Sequence, residues 1–186
     1  MSNPTALGRL AKASALAVAM LPGMVSLPGH AETPVLSGEL TSARENLATA
    51  WSHAALSFTV ATFTDGKAEG YGRYTPKAEP VFAPNETMQV YAEPVAYGFG
   101  SGDGLVTVDL AASFELRTTS GQVLASGNEF AHLTAQARHP IREFPATLTY
   151  RFDGLSPGDY VLVTRLVDAN SDKSGAFSLP FTVKAP

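Results

Sequence analysis

The chain has 186 residues, 45% of them hydrophobic, with 13 Lys and Arg against 17 Asp and Glu, a net charge of −4 and no cysteine. That length builds about one domain with a sizeable core. Mild acidity without a basic cluster excludes an electrostatic draw to nucleic acid or to an anionic membrane surface, and the lack of cysteine excludes disulfides and a lipid-bearing cysteine anchor.

Residues 1–31 have the three-part layout of a secretory signal peptide. Arg9 and Lys12 form a positive leader, the apolar run Ala13–Leu21 follows, and Gly29-His30-Ala31 offers small residues for cleavage. The run is shorter than the roughly 20 residues that a membrane span needs. The expected product is removed from its leader, begins near Glu32 and is periplasmic or secreted. No Arg-Arg pair occurs in the leader, which favours the general secretory route. Cleavage leaves eleven basic residues against seventeen acidic ones.

Residues 32–56 read as a lead-in and a short helix. Leu40, Ala43, Leu47, Ala50, Trp51 and Ala54 recur at three- and four-residue spacing, which predicts a helix over 42–54 with one apolar stripe. Ser42 and Glu45 have capping-box spacing. Trp51, the only tryptophan, is expected to anchor the helix on the body of the protein.

From residue 57 to 186 the period becomes two. Val106, Val108, Leu110, Ala112, Phe114 and Leu116 alternate with polar or small residues, which predicts a long strand with one dry face and a bend near Ala111–Ser113. Further strands are expected at Phe58–Phe63, Glu69–Tyr74, Pro80–Phe82, Thr87–Glu93, Val123–Ser126, Thr147–Phe152, Tyr160–Val167 and Phe177–Val183, with Glu129–Leu133 a short addition inside a crossing over 128–145. Pro180 marks the last strand as an edge. With no helix between the strands, a mainly β, antiparallel β-sandwich is the expected architecture.

Leu155-Ser156-Pro157-Gly158-Asp159-Tyr160, followed by Val161-Leu162-Val163, resembles the corner that leads into the sixth strand of fibronectin type III and related immunoglobulin-like domains. The resemblance implies that the Tyr160 hydroxyl bonds back to the preceding turn. Gly72-x-Tyr74-x-Pro76, Phe82-x-Pro84-x-Glu86 and Val90-Tyr91-Ala92-Glu93-Pro94 are similar to exported bacterial proteins of unknown function that also carry a late aspartate, here Asp168. Together they imply an immunoglobulin/fibronectin III-like β-sandwich with one short N-terminal helix, and no particular chemistry.

No catalytic set is expected. Gly98–Gly104 surrounds Ser101 with glycines, but not at nucleophile-elbow spacing, and reads as a mobile turn. Asp168, Asn170 and Asp172 match the first half of a calcium loop; Lys173 stands where the turn glycine belongs and Leu179 where the closing glutamate belongs, so a hairpin turn is preferred. A copper site would need cleavage before His30, with His53, His132 or His139 completing it. Tyr71, Tyr74, Tyr91, Tyr97 and Phe99 concentrate in one stretch and are the candidate binding residues, either as a patch for a partner or as ordinary sheet packing. The expected function is a non-enzymatic binding or accessory module of the cell envelope, without a cofactor, contacting a protein partner or a glycan through Pro94–Gly104 and the nearby tyrosines. The alternative is a copper- or calcium-dependent, or a hydrolytic, envelope enzyme.

Overall fold

A computed structural model describes residues 35–185, so the leader, its cleavage site and His30 lie outside the described residues. Ser37–Pro186 forms one compact unit. In chain order it contains helix α1 (Gly38–His53) and strands β1 (Ser57–Thr64), β2 (Val81–Phe82), β3 (Met88–Val95), β4 (Gly100–Gly102), β5 (Leu105–Thr118), β6 (Val123–Ala137), β7 (Ala146–Tyr150), β8 (Gly158–Asp168) and β9 (Ser174–Val183). The protein is mainly β with one helix. No described helix is long and apolar enough to cross a membrane.

Strands β1-β3-β7 form one sheet. The second runs β2-β9-β8-β5-β4, and β6 also pairs with β5. Alternation explains the dry faces. Val90, Ala92 and Leu148 from the first sheet share one buried cluster with Leu110, Leu116, Leu162, Leu166 and Phe181 from the second. All pairings are antiparallel except β2 with β9, which run parallel at Val81↔Thr182 and Phe82↔Val183. That exception to the antiparallel expectation is possible because a long connection, residues 65–80, brings β2 in from far away, where no tight turn dictates its direction. Strand β9 has β2 beside it only at Thr182 and Val183. At Pro180, opposite Val161 of β8, it is an edge, and the missing N–H costs no ladder bond.

The bend foreseen in β5 is present as a register shift between Ala112 and Phe114. Its cause lies in β6, where Asn128, Glu129 and Phe130 stand opposite Ser113 alone, and Glu129 adopts a φ of 44°. Several expectations are corrected. Residues 123–137 are one strand, so the supposed crossing begins only at Arg138. Its outward half is wet and its inward half is mostly alanine, which hides the alternation. Glu69–Tyr74 is a turn holding a single Gly70↔Arg73 bridge, with Gly72 at a φ of 67° that a side chain disfavours. Within Gly98–Gly104, residues Gly100–Gly102 form strand β4, and Asp103-Gly104 is the turn into β5. Asp103 and Gly104 both have positive φ, the geometry of a tight two-residue hairpin.

The helix also departs from expectation. It starts four residues early because Ser37, not Ser42, is the N-cap, its Oγ accepting from the Leu40 N–H at 3.2 Å. None of its residues is buried. Leu40 and Leu47, on the apolar stripe, are 48% and 51% exposed. The helix therefore meets the sheets through its last turn, at Trp51, and not along its length.

Candidate functional site

The five candidate rings do not make one patch. Tyr71, Tyr74 and Tyr91 gather on the outer face of β3, covered by residues 65–80. Tyr91 is fully buried there, and Tyr74 stacks on it at 4.1 Å. The Gly72 N–H donates to the Tyr91 hydroxyl at 2.7 Å, and that hydroxyl donates to Glu93 Oε1 at 2.7 Å. Thr59 Oγ1 donates to Glu93 Oε2 at 3.0 Å. Glu93 is thus a buried carboxylate served by hydroxyls rather than by a cation. Burial first, then the bond to Glu93, pushes the Tyr91 phenol up to about 12. Burial, and then the charges of Glu93 and Glu143, raise Tyr71 as well. Both faces of β3 are consequently dry, and the cluster fastens the connection onto the sheet.

Tyr97 and Phe99 belong to a second cluster with Trp51. Trp51 Nε1 donates to the Tyr97 carbonyl at 2.7 Å. Its ring meets Tyr97 edge-on at 5.1 Å and stacks with Phe99 at 6.2 Å. Tyr97 is fully buried, and its hydroxyl donates to the Ile141 carbonyl at 2.7 Å. Burial holds its phenol above the ordinary value, against the opposing charge of Arg142. Lys173 Nζ donates to the carbonyls of Trp51 and Ala96 at 3.1 and 2.7 Å. It supplies a cation at the end of α1, where the helix dipole favours one.

Arg142 lies against this cluster, 5.7 Å from the Trp51 ring centre and 5.9 Å from that of Phe99. Such distances give a cation–π attraction. Its Nε–H is buried without a hydrogen-bond partner. Among the described residues, no carboxylate forms an ion pair with it. Trp51, Phe99 and Arg142 are all half-exposed. The result is an aromatic surface carrying one uncompensated guanidinium.

The Asp168–Asp172 turn sits close by. Asp168 is buried, and its carboxylate accepts from the Gly98 and Asn170 N–H groups and from the Ser171 hydroxyl. Asn170 Nδ2 donates to the Thr107 carbonyl at 3.4 Å, and Asp172 is exposed. The turn therefore pins the segment ahead of β4. A Cβ on Gly98 would fall 2.9 Å from Asp168 Oδ2, and one on Gly100 only 2.2 Å from Asn170 Oδ1. Those two glycines are required by close approach. No group of three or more His, Asp or Glu side chains among the described residues is placed to hold a metal ion. His132 bonds Asp109 at 2.8 Å on the exposed face of β5 and β6. That bond, then the aspartate charge, raises its pKa.

Sequence patterning missed Arg142 and Lys173, and it marks Glu93 as a solvated charge where the structure buries it, because their neighbours come from distant parts of the chain. It also missed a groove of about 580 Å³ on the outer face of the larger sheet, lined by Ser113, Glu115, Arg117, Glu129, Val163 and Arg165. Alternation marked these residues as solvent-facing, and the bulge in β6 adds Asn128 and Glu129 to the rim of that concavity. Of the charges in it, Arg117 pairs with Glu115, and Arg165 donates to the Ser174 hydroxyl. In comparisons with known proteins, no protein-family model and no curated protein matches the chain.

Proposed function

We propose that this chain is an exported, non-enzymatic binding or accessory module of the cell envelope, built as an immunoglobulin- or fibronectin III-like sandwich. Its strand order, β1-β3-β7 against β9-β8-β5-β6, agrees with that of the immunoglobulin-like architecture, in which the second, third, fifth, sixth and seventh strands divide in this way. The Tyr160 hydroxyl donates to the Ser156 carbonyl at 2.7 Å, as the tyrosine corner requires. Export is supported by the layout of residues 1–31.

The observation that carries the binding function is Arg142 against Trp51 and Phe99. Trp and Arg dominate the energetics of protein interfaces. A half-buried guanidinium that forms no ion pair among the described residues is suited to a carboxylate from a protein partner, more than to an uncharged glycan. The contact surface comprises these three side chains and the adjoining residues 98–104, since Pro94, Ala96 and Tyr97 are buried. The buried Tyr97 supports that surface from below.

Capture from envelope extract by the purified protein and by its Arg142→Gln variant tests the proposal. A partner retained by the parent, lost by the variant and accompanied by unchanged melting supports it. Equal capture by both, or by neither, refutes it. Mass measurement of the exported product tests the other half: a start near Glu32 is expected, and a product retaining Arg9 and Lys12 refutes cleavage.

A further inference from the structure

Strand β6 leaves one whole side of its backbone without a strand partner. It pairs with β5 from Val106↔Ala137 to Arg117↔Val123, and among the described residues no strand lies beyond it. Proteins blunt long edges with Lys, Pro or very short strands, because bare N–H and C=O groups recruit another chain. Here the edge runs 15 residues without Lys or Pro, and its one formal charge is Glu129. The bulge at 128–130 interrupts it. From Ala131 to Ala137 the register with β5 is regular. Along that segment Ala131, Leu133, Ala135 and Ala137 are half-buried, and His132, Thr134 and Gln136 are exposed.

We propose that residues 131–137 pair antiparallel with the same residues of a second copy of this chain, about a two-fold axis through Thr134, joining two larger sheets into one continuous sheet. This inference stands apart from the partner surface at Arg142. A two-fold axis perpendicular to the sheet keeps each face with its like: Leu133 falls opposite Ala135 on the dry face, and His132 opposite Gln136 on the wet one. Just beyond the ends of the paired segment, Glu129 of one copy lies on the side of Arg138 and His139 of the other, so unlike charges approach. Other axes fare worse. Centred on Leu133, the pairing brings the two His132 rings to diagonal positions, both drawn towards the charged form by Asp109. Centred on Ala135, it sets His132 against Arg138. Like charges across strands are destabilising.

Sedimentation velocity of the purified protein is the test. So short a contact lies at the small end of protein interfaces, so the dimer is expected to populate at roughly 10–100 µM. Thr134→Lys and Thr134→Glu each place a charge against itself across the axis. Each variant alone is expected to stay monomeric, and an equimolar mixture to dimerise. Thr134 is exposed, which protects the fold, and thermal melts check it. Because Asp109 is the β5 neighbour of Thr134, it partly neutralises the lysine, and the glutamate variant gives the stronger loss. A parent protein monomeric through that range overturns the proposal. So do variants that dimerise like the parent, and a mixture that stays monomeric.

Discussion

Replacing Tyr160 with Phe isolates one hydrogen bond. Tyr160 opens β8, is 9% exposed, and stacks on Phe181 at 5.6 Å with the planes 28° apart. Phenylalanine keeps that ring in place. What is lost is the 2.7 Å bond from the hydroxyl to the Ser156 carbonyl, four residues back across the β7–β8 connection. A neutral hydrogen bond contributes about 1 kcal/mol net, and the loss rises towards 2 if the stranded carbonyl stays dry. Ser156 is itself exposed, so water replaces the donor and the lower figure applies. For a unit of this size, about 1 kcal/mol lowers Tm by about 2–4 °C. Circular dichroism melts and urea titration read it directly, with an unchanged m-value showing that the denatured state is not involved. A Tm unchanged within experimental error would refute a structural role for the corner and remove one support for the immunoglobulin-like assignment.

Two other outcomes follow from burial and charge. Tyr97→Ala empties a fully enclosed site beside Trp51, Phe99 and Phe144 and is expected to cost about 3–5 kcal/mol; a melt within about 1 °C of the parent's refutes the packing described. Asp109→Asn removes the largest cause of the raised His132 pKa, so an NMR titration should show it falling towards the ordinary histidine value of about 6.5. The sign is fixed. A raised folded-state value means that the His132–Asp109 pair favours the folded protein below the unfolded pKa, and that this help is lost as pH climbs through the folded one.

Strands whose two sides see different solvents were plain in the sequence. In β5, β8 and β9 a dry residue follows a wet one for most of their length, and these strands fall close to their expected bounds. The corner at Tyr160 was legible too, because it is local. Strand β3 was read on one face only. Nothing near Tyr91 and Glu93 in sequence announces that residues 65–80 fold over them. Strand β6 was read as fragments, since Gly127, His132 and a row of alanines carry little apolar contrast. The stripe on α1 was real as a pattern and misleading as a contact map. Arg142 illustrates the limit most clearly: an arginine among Pro140, Ile141 and Glu143 has no distinguishing pattern until Trp51 and Phe99 arrive from other parts of the chain.

The order of the strands has a consequence for how the molecule is made. Strand β5 is flanked by β6, its immediate successor, and by β8, which is far downstream. In a chain that folds as it is synthesised, the β5–β6 hairpin closes through Ser120 and Gly121 as soon as both strands exist. The 31 residues from Arg138 to Asp168 then take about 2–6 seconds to be synthesised, at the usual rate of elongation. For that interval, the flank of β5 reserved for β8, from Leu110 to Thr118, is as bare as the outer flank of β6, and whatever escorts the nascent chain meets a ribbon that β4 covers only at Leu105–Thr107.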